Sequence, residues 1–174
     1  ELDEVRRELG VSKDDFLLVT TSRLVHKNAL DDVIKAIALL PAKVKFVVFG
    51  MGPEENKLKS LAKELNIENR ILFKGQIEHN VMPKYLKACD AFIRPSRSEG
   101  MGNSFVEAMT AELPVIATQE GGIADFLFDA KRNPEQKTTG WAVDANSPEQ
   151  IRVVVEEIIS NPDKVKEVVE EAKE

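Results

Sequence analysis

Cysteine and histidine are scarce in this sequence of 174 residues, which contains one cysteine, Cys89, and two histidines, His26 and His79. A single cysteine excludes an intramolecular disulfide, and neither histidine has a partner at metal-ligand spacing, so no zinc cluster is expected. We interpret Cys89, which lies in an apolar run, as a buried, inert thiol. The sequence also contains no signal peptide and no apolar run of membrane-spanning length, so we expect a cytoplasmic location.

Positive charge is not in excess either, since 24 Lys and Arg residues face 30 Asp and Glu residues and the net charge is −6. This balance argues against a nucleic acid or an anionic membrane as the main partner. A small anionic ligand is compatible with it, because the field inside a pocket is local. Hydrophobic residues make up 43% of the chain, enough for the core of one domain. Because no repeat, low-complexity tract or linker is visible, we predict a single domain over residues 1–174.

Short apolar segments alternate with segments of helical periodicity along the chain. Six apolar segments are predicted to be strands, at residues 16–21, 44–49, 71–73, 91–93, 114–117 and 141–143. A polar loop is expected at 129–139, and a short helix is expected from Gly121 to about Phe128. Strands that are apolar throughout form parallel sheets covered on both faces, so the pattern predicts an α/β fold with a doubly wound parallel sheet. Ligands of such sheets bind at the carboxyl ends of the strands.

A glycine loop with the sequence GMGN, at residues 100–103, follows the fourth predicted strand and runs into a helix. The unpaired N–H groups and the positive dipole end of a helix N-terminus attract phosphate. Glu99 and Glu107 flank this segment, where carboxylates can accept hydrogen bonds from hydroxyls or take part in acid–base work. An exposed helix position is the alternative interpretation of Glu107. Because a sugar nucleotide carries hydroxyls at both ends and a diphosphate between them, the pattern favours such a ligand.

Two cations, Arg23 and Lys27, follow the first predicted strand at the edge of the sheet where ligands bind. A guanidinium grips two phosphate oxygens, and an ammonium adds a mobile point charge. Taken alone, both would be interpreted as solvated surface cations. Together with the glycine loop they predict a diphosphate site, which requires that the two segments lie on the same rim of the fold.

A Gly-x-Gly turn, from Gly50 to Gly52, follows the second predicted strand and resembles part of a dinucleotide fingerprint. The third glycine of that fingerprint is absent, because position 55 is Glu, and the fingerprint belongs after the first strand. NAD binding is therefore not expected. We interpret Gly50 and Gly52, with Ser22 of the preceding turn, as residues that line the pocket.

In this order along the chain, the motifs resemble the C-terminal, donor-binding domain of retaining glycosyltransferases with the GT-B fold, of family 4 (group 1) type. The resemblance extends from about Asp15 to the end of the chain. The segments that carry it are 22–27 (SRLVHK), 50–53 (GMGP), 71–75 (ILFKG), 95–109 with Glu-x7-Glu spacing, and 114–122.

The resemblance implies a Rossmann-like half of a GT-B enzyme and a role for each motif residue. Arg23 and Lys27 would bind the donor diphosphate, Glu107 would hold the ribose, and Glu99 would be the catalytic residue against the donor sugar. The backbone amides of the glycine loop would face sugar or phosphate, at Gly100, Met101, Gly102 and Asn103. The residues near the base would be Lys74, Gly75 and Gln76.

The implied reaction is transfer of a hexose-type sugar from a UDP- or GDP-linked donor to an acceptor, with retention of anomeric configuration and without a metal or other cofactor. Cations and the helix dipole would stabilise the leaving diphosphate. The implied partners are the donor and an N-terminal acceptor domain, which this chain, beginning with Glu1, is expected to lack. Peripheral membrane association would come through that missing half, and the isolated domain would transfer little or no sugar.

The chain departs from the family pattern where Glu112 replaces a usual glycine, Asp125 a common glutamate, Asn28 a frequent glycine, and residues 101–103 the more usual Phe-Gly-Leu. These departures leave the donor open. Two other functions are compatible with the sequence, a sugar-nucleotide epimerase of similar two-domain shape and a non-catalytic nucleotide- or phosphate-binding module. The combination of Arg23 and Lys27 with the Glu-x7-Glu motif favours the transferase.

Overall fold

The computed structural model describes residues 2–97, 103–119, 123–124 and 127–173. Its helices are α1 (Leu2–Leu9), α2 (Leu30–Ala38), α3 (Glu55–Glu64), α4 (Met82–Lys87), α5 (Asn103–Thr110), α6 (Pro148–Ser160) and α7 (Pro162–Lys173). Its strands are β1 (Phe16–Thr21), β2 (Val44–Phe49), β3 (Ile71–Gly75), β4 (Ala91–Arg94), β5 (Val115–Ala117) and β6 (Trp141–Ala142). All six strands lie where the apolar segments predict them. The helix predicted from Gly121 lies largely outside the described residues.

The strands form one parallel sheet with the order β3-β2-β1-β4-β5-β6. The chain runs outward from β1 through β2 to β3 and then returns to place β4 on the other side of β1. Val19 in β1 therefore pairs with Val47 of β2 on one side and with Phe92 of β4 on the other. The predicted doubly wound α/β fold is confirmed, and its topological switch point lies between β1 and β4.

Alternate strand residues point to opposite faces of the sheet, and each face carries its own core. On one face, Leu18, Phe46 and Ile93 are fully buried beneath α2, α3 and α6. On the other face, Leu17 and Phe92 are buried beneath α1, α4 and α5. Helices cover both faces, which explains why the strand segments are apolar throughout rather than alternating.

Two helices, α3 and α5, end on a non-glycine residue in the left-handed region, which closes the final turn. Asn66 after α3 has φ +60°, and the next amide, that of Ile67, donates to the Ala62 carbonyl at 2.9 Å. Glu112 after α5 has φ +65°, with the Leu113 amide donating to the carbonyl of Ala108 at 3.0 Å. Glycine occupies such positions at the least cost. A glycine at position 112, which the resemblance leads one to expect, would suit this geometry.

Cys89 is buried between α4 and β4, and its Sγ donates to the Tyr85 carbonyl at 3.3 Å. Burial, with the nearby Asp90 carboxylate, raises the pKa of the thiol far above its usual range. The thiol is therefore protonated and inert at neutral pH, as the apolar run predicts. Within the part of the chain that the structure describes, no helix combines the length and apolar character needed to cross a bilayer.

Candidate functional site

The loops that follow β1 and β2 continue the pairing of the sheet beyond the strand ends. The Ser22 amide donates to the Phe49 carbonyl at 3.1 Å, and the Leu24 amide donates to the Met51 carbonyl at 3.0 Å. The Gly50 amide donates to the Gly75 carbonyl at 2.9 Å. These bonds fix the β1 and β2 loops and the end of β3 against one another at the carboxyl edge of the sheet.

The two glycines of the Gly-x-Gly turn are required by this close approach. Gly50 has φ +148°, and a Cβ on it would lie 1.8 Å from the Ser22 carbonyl oxygen. A Cβ on Gly52 would lie 2.5 Å from the carbonyl oxygen of Leu24. Any other residue at either position would push the β1 loop away from the β2 loop. At Gly50 and Gly52 the turn therefore presents backbone without side chains to the candidate site.

A cleft of about 530 Å³ lies next to this glycine turn. The β1 and β2 loops, the β3–α4 loop and α5 line it. The residues that the sequence predicts for the site and that line this cleft are Ser22, Arg23, Gly50, Gly52, Gln76 and Glu107. Arg23 is exposed and Glu107 is half-buried. The structure thus brings the predicted guanidinium and the predicted ribose-binding carboxylate to a common cleft, although they are far apart in sequence.

The other predicted site residues lie around the cleft or outside the described residues. Lys27 is exposed and does not line the cleft. Lys74 lines a neighbouring hollow of about 240 Å³, and Gly75 contributes the carbonyl that holds the Gly50 amide. Asn103 is the first residue of α5. The residues outside the described part of the chain are Glu99, Gly100, Met101 and Gly102.

Arg97 connects the β4–α5 loop, in which it lies, to two other loops at the carboxyl edge. Its Nη1 donates to the His26 carbonyl at 2.6 Å, and its Nη2 donates to both carboxylate oxygens of Asp31 at 3.1 Å and to Asp32 at 3.3 Å. Its Nε donates to the Asn146 side chain at 2.6 Å, in the loop between β6 and α6. The half-buried Arg97 guanidinium therefore fixes the relative positions of the β1, β4 and β6 loops and the first turn of α2.

The backbone of Arg97 also bonds to the loop that carries the predicted cations. Its amide donates to the Lys27 carbonyl at 2.7 Å. The last described residue before the glycine loop thus lies directly against Lys27. This contact places the entry to the glycine loop and the Lys27 segment on the same rim of the sheet, which is the arrangement that the diphosphate hypothesis requires.

The Arg97 cluster contains a carboxylate in an unfavourable environment. The Asp32 side chain is only 6% exposed, and burial, with the neighbouring charge of Asp31, raises its pKa, while Arg97 opposes this shift. In the structure, Asp31 and Asp32 are chiefly the ion-pair partners of Arg97.

Arg94, at the end of β4, joins the switch point to α5. It is 6% exposed, its Nη1 donates to the Thr21 carbonyl at 3.2 Å, and its guanidinium lies 4.7 Å from the centre of the Phe105 ring. A guanidinium over an aromatic face is held by a cation–π interaction. Through these contacts Arg94 fixes the position of the helix turn that carries Glu107.

The Glu107 carboxylate has a histidine partner in the cleft. Its Oε1 lies 3.7 Å from Nε2 of His79, which belongs to the β3–α4 loop. Among the described residues, no three His, Cys, Asp or Glu side chains are grouped so that they could hold a metal ion.

Sequence reasoning did not identify Arg97, Arg94 or His79 as site residues. Arg94 ends a strand and Arg97 follows it closely, at the ligand-binding edge, and the same position singled out Arg23. That signal was available in the sequence. No comparable signal existed for His79, because its contact with Glu107 arises only from the packing of α5 near the β3–α4 loop.

The sequence model of the family described as "Glycosyl transferases group 1" matches residues 2–174. Among the curated relatives, the alpha-monoglucosyldiacylglycerol synthase of Streptococcus pneumoniae is 33% identical over 151 residues, which cover 83% of this chain and 34% of that protein. The chain spans about a third of the length of the curated relatives it matches.

Solved structures share the fold along nearly the whole chain. The Anabaena protein Alr3699/HepE, crystallised with UDP-glucose, superposes with a TM-score of 0.89 at 24% identity, covering 99% of this chain and 46% of that one. The C-terminal domain of LpcC, a group 1 family protein from Francisella tularensis, gives a TM-score of 0.82 at 20% identity, with 99% and 89% covered. Since the family model spans residues 2–174, this chain belongs to the group 1 glycosyl transferases and has the Rossmann-like fold of their GT-B C-terminal domain.

Proposed function

We propose that this chain is the donor-binding half of a retaining glycosyltransferase of family 4 type. It binds a UDP- or GDP-linked hexose in the carboxyl-edge cleft and transfers the sugar to an acceptor held by a separate N-terminal domain. The observation that carries this proposal is the convergence of Arg23 and Glu107 on one cleft beside the switch point of the sheet. Open α/β sheets bind their ligands at that point.

The cleft offers complementary groups for the two ends of a nucleoside diphosphate. Glu107 accepts hydrogen bonds from the two vicinal hydroxyls of the ribose, since an ionised carboxylate has two acceptor oxygens. Arg23 and Lys27, on one loop, neutralise the diphosphate, while Gly50 and Gly52 let the ligand approach the backbone closely. Gln76, which follows Lys74 and Gly75 in the chain, lines the part of the cleft that would hold the base of the nucleotide.

In the transfer step, the bond from the sugar C1 to the diphosphate oxygen breaks and the electron pair leaves with the diphosphate. Arg23, Lys27 and the N-terminus of α5, with the amides of the preceding glycine loop, stabilise the negative charge that develops there. We assign Glu99 to the donor sugar, where it binds hydroxyls or eases the positive charge at C1. The new bond forms from the acceptor hydroxyl oxygen to C1 with retention, and the hydroxyl proton passes to the leaving diphosphate. Any association with a membrane would be peripheral and come through the N-terminal domain.

Calorimetric titration of this chain with UDP, GDP, ADP and NAD tests the proposal. We expect binding of UDP or GDP and no binding of NAD. Replacing Arg23 or Lys27 by Ala should weaken diphosphate binding about tenfold to a hundredfold, the effect of losing a charge-assisted contact. Lys13→Ala, at the amino edge of the sheet, is the matched control and should bind normally. NAD binding without nucleoside-diphosphate binding would contradict the proposal.

The ribose assignment has a separate test in the same assay. Glu107→Ala should lose the preference for UDP or GDP over inorganic pyrophosphate, because only the nucleotide carries the diol that the carboxylate holds. An unchanged preference would remove this role from Glu107. A panel of sugar nucleotides assayed with the full-length protein, including the N-terminal domain, would then identify the donor and measure the transfer.

A further inference from the structure

The charged residues that line the cleft, among those the structure describes, are Arg23, His79 and Glu107. The His79 side chain is 86% exposed, whereas that of its partner Glu107 is 34% exposed. On its own loop it is preceded by Glu78, and the neighbouring α4 carries Lys84, neither of which lines the cleft. His79 therefore lies beside the Glu107 carboxylate in an open cleft that Arg23 also lines.

We infer that His79 is a further ligand-binding residue of this cleft, whose imidazolium holds the Glu107 carboxylate in place and attracts the diphosphate of the incoming nucleotide. This inference rests on the proposed function, in which Glu107 binds the ribose of a nucleoside diphosphate. It predicts that the affinity for the ligand depends on the protonation of one side chain.

The geometry lets His79 stabilise the Glu107 carboxylate without a strong hydrogen bond to its oxygens. At 3.7 Å, Nε2 is close enough for an ion pair with Oε1 but too far for a strong hydrogen bond, so both carboxylate oxygens can still accept from the two ribose hydroxyls. The positive charge also opposes the repulsion between Glu107 and a diphosphate entering the same cleft. When His79 is neutral, only this charge is lost while the shape of the cleft is retained.

Histidine side chains exchange a proton between pH 5 and 8. Nucleoside-diphosphate affinity should therefore rise as the pH falls through this range. Because the His79 side chain is largely exposed, we expect an increase of about two- to fivefold, as an exposed ion pair supports.

The test compares the wild type with His79→Gln, which is neutral at every pH, and His79→Lys, which is positive at every pH in the range. UDP and GDP are titrated into each protein by calorimetry between pH 5.5 and 8, after thermal melts confirm that the variants fold. Proton exchange by the ligand phosphates affects all three proteins equally, so it cancels when their profiles are compared. We expect the wild type to match His79→Gln at high pH and to approach His79→Lys at low pH.

A wild-type profile parallel to that of His79→Gln would overturn the inference. A wild type that binds more weakly than His79→Gln at low pH would also overturn it, since the ion pair would then block the carboxylate. Both outcomes leave the proposed function intact, because UDP or GDP still binds. Absence of UDP and GDP binding at every pH would overturn the proposed function and this inference together.

Discussion

At the scale of single residues, Arg97 illustrates how one side chain sets the geometry of a site that it does not line. A guanidinium presents five N–H donors in a planar fork, so it can serve a carbonyl, two carboxylates and an amide oxygen at once. Arg97 does so in the β1, β4 and β6 loops, with its side chain 17% exposed. A lysine carries a single ammonium and could not reach all of these acceptors. The rim that carries Lys27 therefore depends on an arginine at position 97.

We predict that Arg97→Met destabilises the protein by about 3 kcal/mol at neutral pH, because removing one partner of a buried ion pair leaves the other uncompensated. Arg97 lowers the pKa of Asp32, which burial raises, so its loss raises that pKa further. The folded variant then binds more protons than the unfolded chain above about pH 4, and its stability falls as pH rises. Urea unfolding of variant and wild type at pH 5 and pH 7.5 should show the larger deficit at pH 7.5.

The double variant Arg97→Met with Asp32→Asn should recover part of the lost stability at pH 7.5, since it removes the uncompensated charge. Arg152→Met is the matched control, because the partners of Arg152 among the described residues are Glu149 and Glu156 on the surface of α6, and these exposed pairs should contribute little. A deficit in Arg97→Met that is equal at both pH values would contradict this account of Asp32.

At the scale of elements, helices α3 and α5 end with the same backbone geometry, although Asn66 and Glu112 differ in how well they tolerate a positive φ. Asn66 tolerates the left-handed region better than most residues, whereas Glu112 does not share that tolerance. In both cases the amide three residues past the helix, that of the buried Ile67 or Leu113, donates to a carbonyl of the last turn. The geometry is therefore imposed by the burial of the next residue rather than by the residue at the bend.

Asn66→Ala should lower the free energy of unfolding by about 1 kcal/mol, because alanine pays the full steric cost of a positive φ. Asn66→Gly should be as stable as the wild type or more so. Asn56→Ala, inside α3, is the control and should not destabilise, since alanine favours a helix. Chemical denaturation measures all three. If Asn66→Ala and Asn66→Gly were equally stable, the left-handed geometry at this helix end would not matter.

The elements themselves could be predicted because each strand is buried on both faces. An apolar run such as residues 44–49 has one interpretation when amphipathic helices flank it, and the observed β2 has those same bounds. The predictions for strands 91–93, 114–117 and 141–143 differ from the structure by a single residue at one end. Edge residues are the difficult ones, since a strand end is defined by the partner strand and not by its own sequence.

At the scale of the whole molecule, the sheet order decides which distant residues meet. The carboxyl ends of parallel strands share one edge of the sheet, so residues that follow different strands were predicted to meet there. Arg23, Gly50 and Glu107 do line one cleft. The contact between Arg97 and Asp31 spans 66 residues, and that between His79 and Glu107 requires the exact approach of α5 to the β3–α4 loop. Neither could be predicted from spacing, since both depend on which loops the strand order places side by side.

An NMR titration of the ¹⁵N-labelled chain with UDP and GDP tests most directly the claim that the carboxyl-edge cleft binds a nucleoside diphosphate. The amide signals of Arg23, Gly50, Gly52 and Glu107 should shift together with saturating ligand, while those at the opposite edge, such as Lys13, should stay unchanged. Shifts confined to the groove between α1, α7 and the α5–β5 loop, at the amino edge, would contradict the claim.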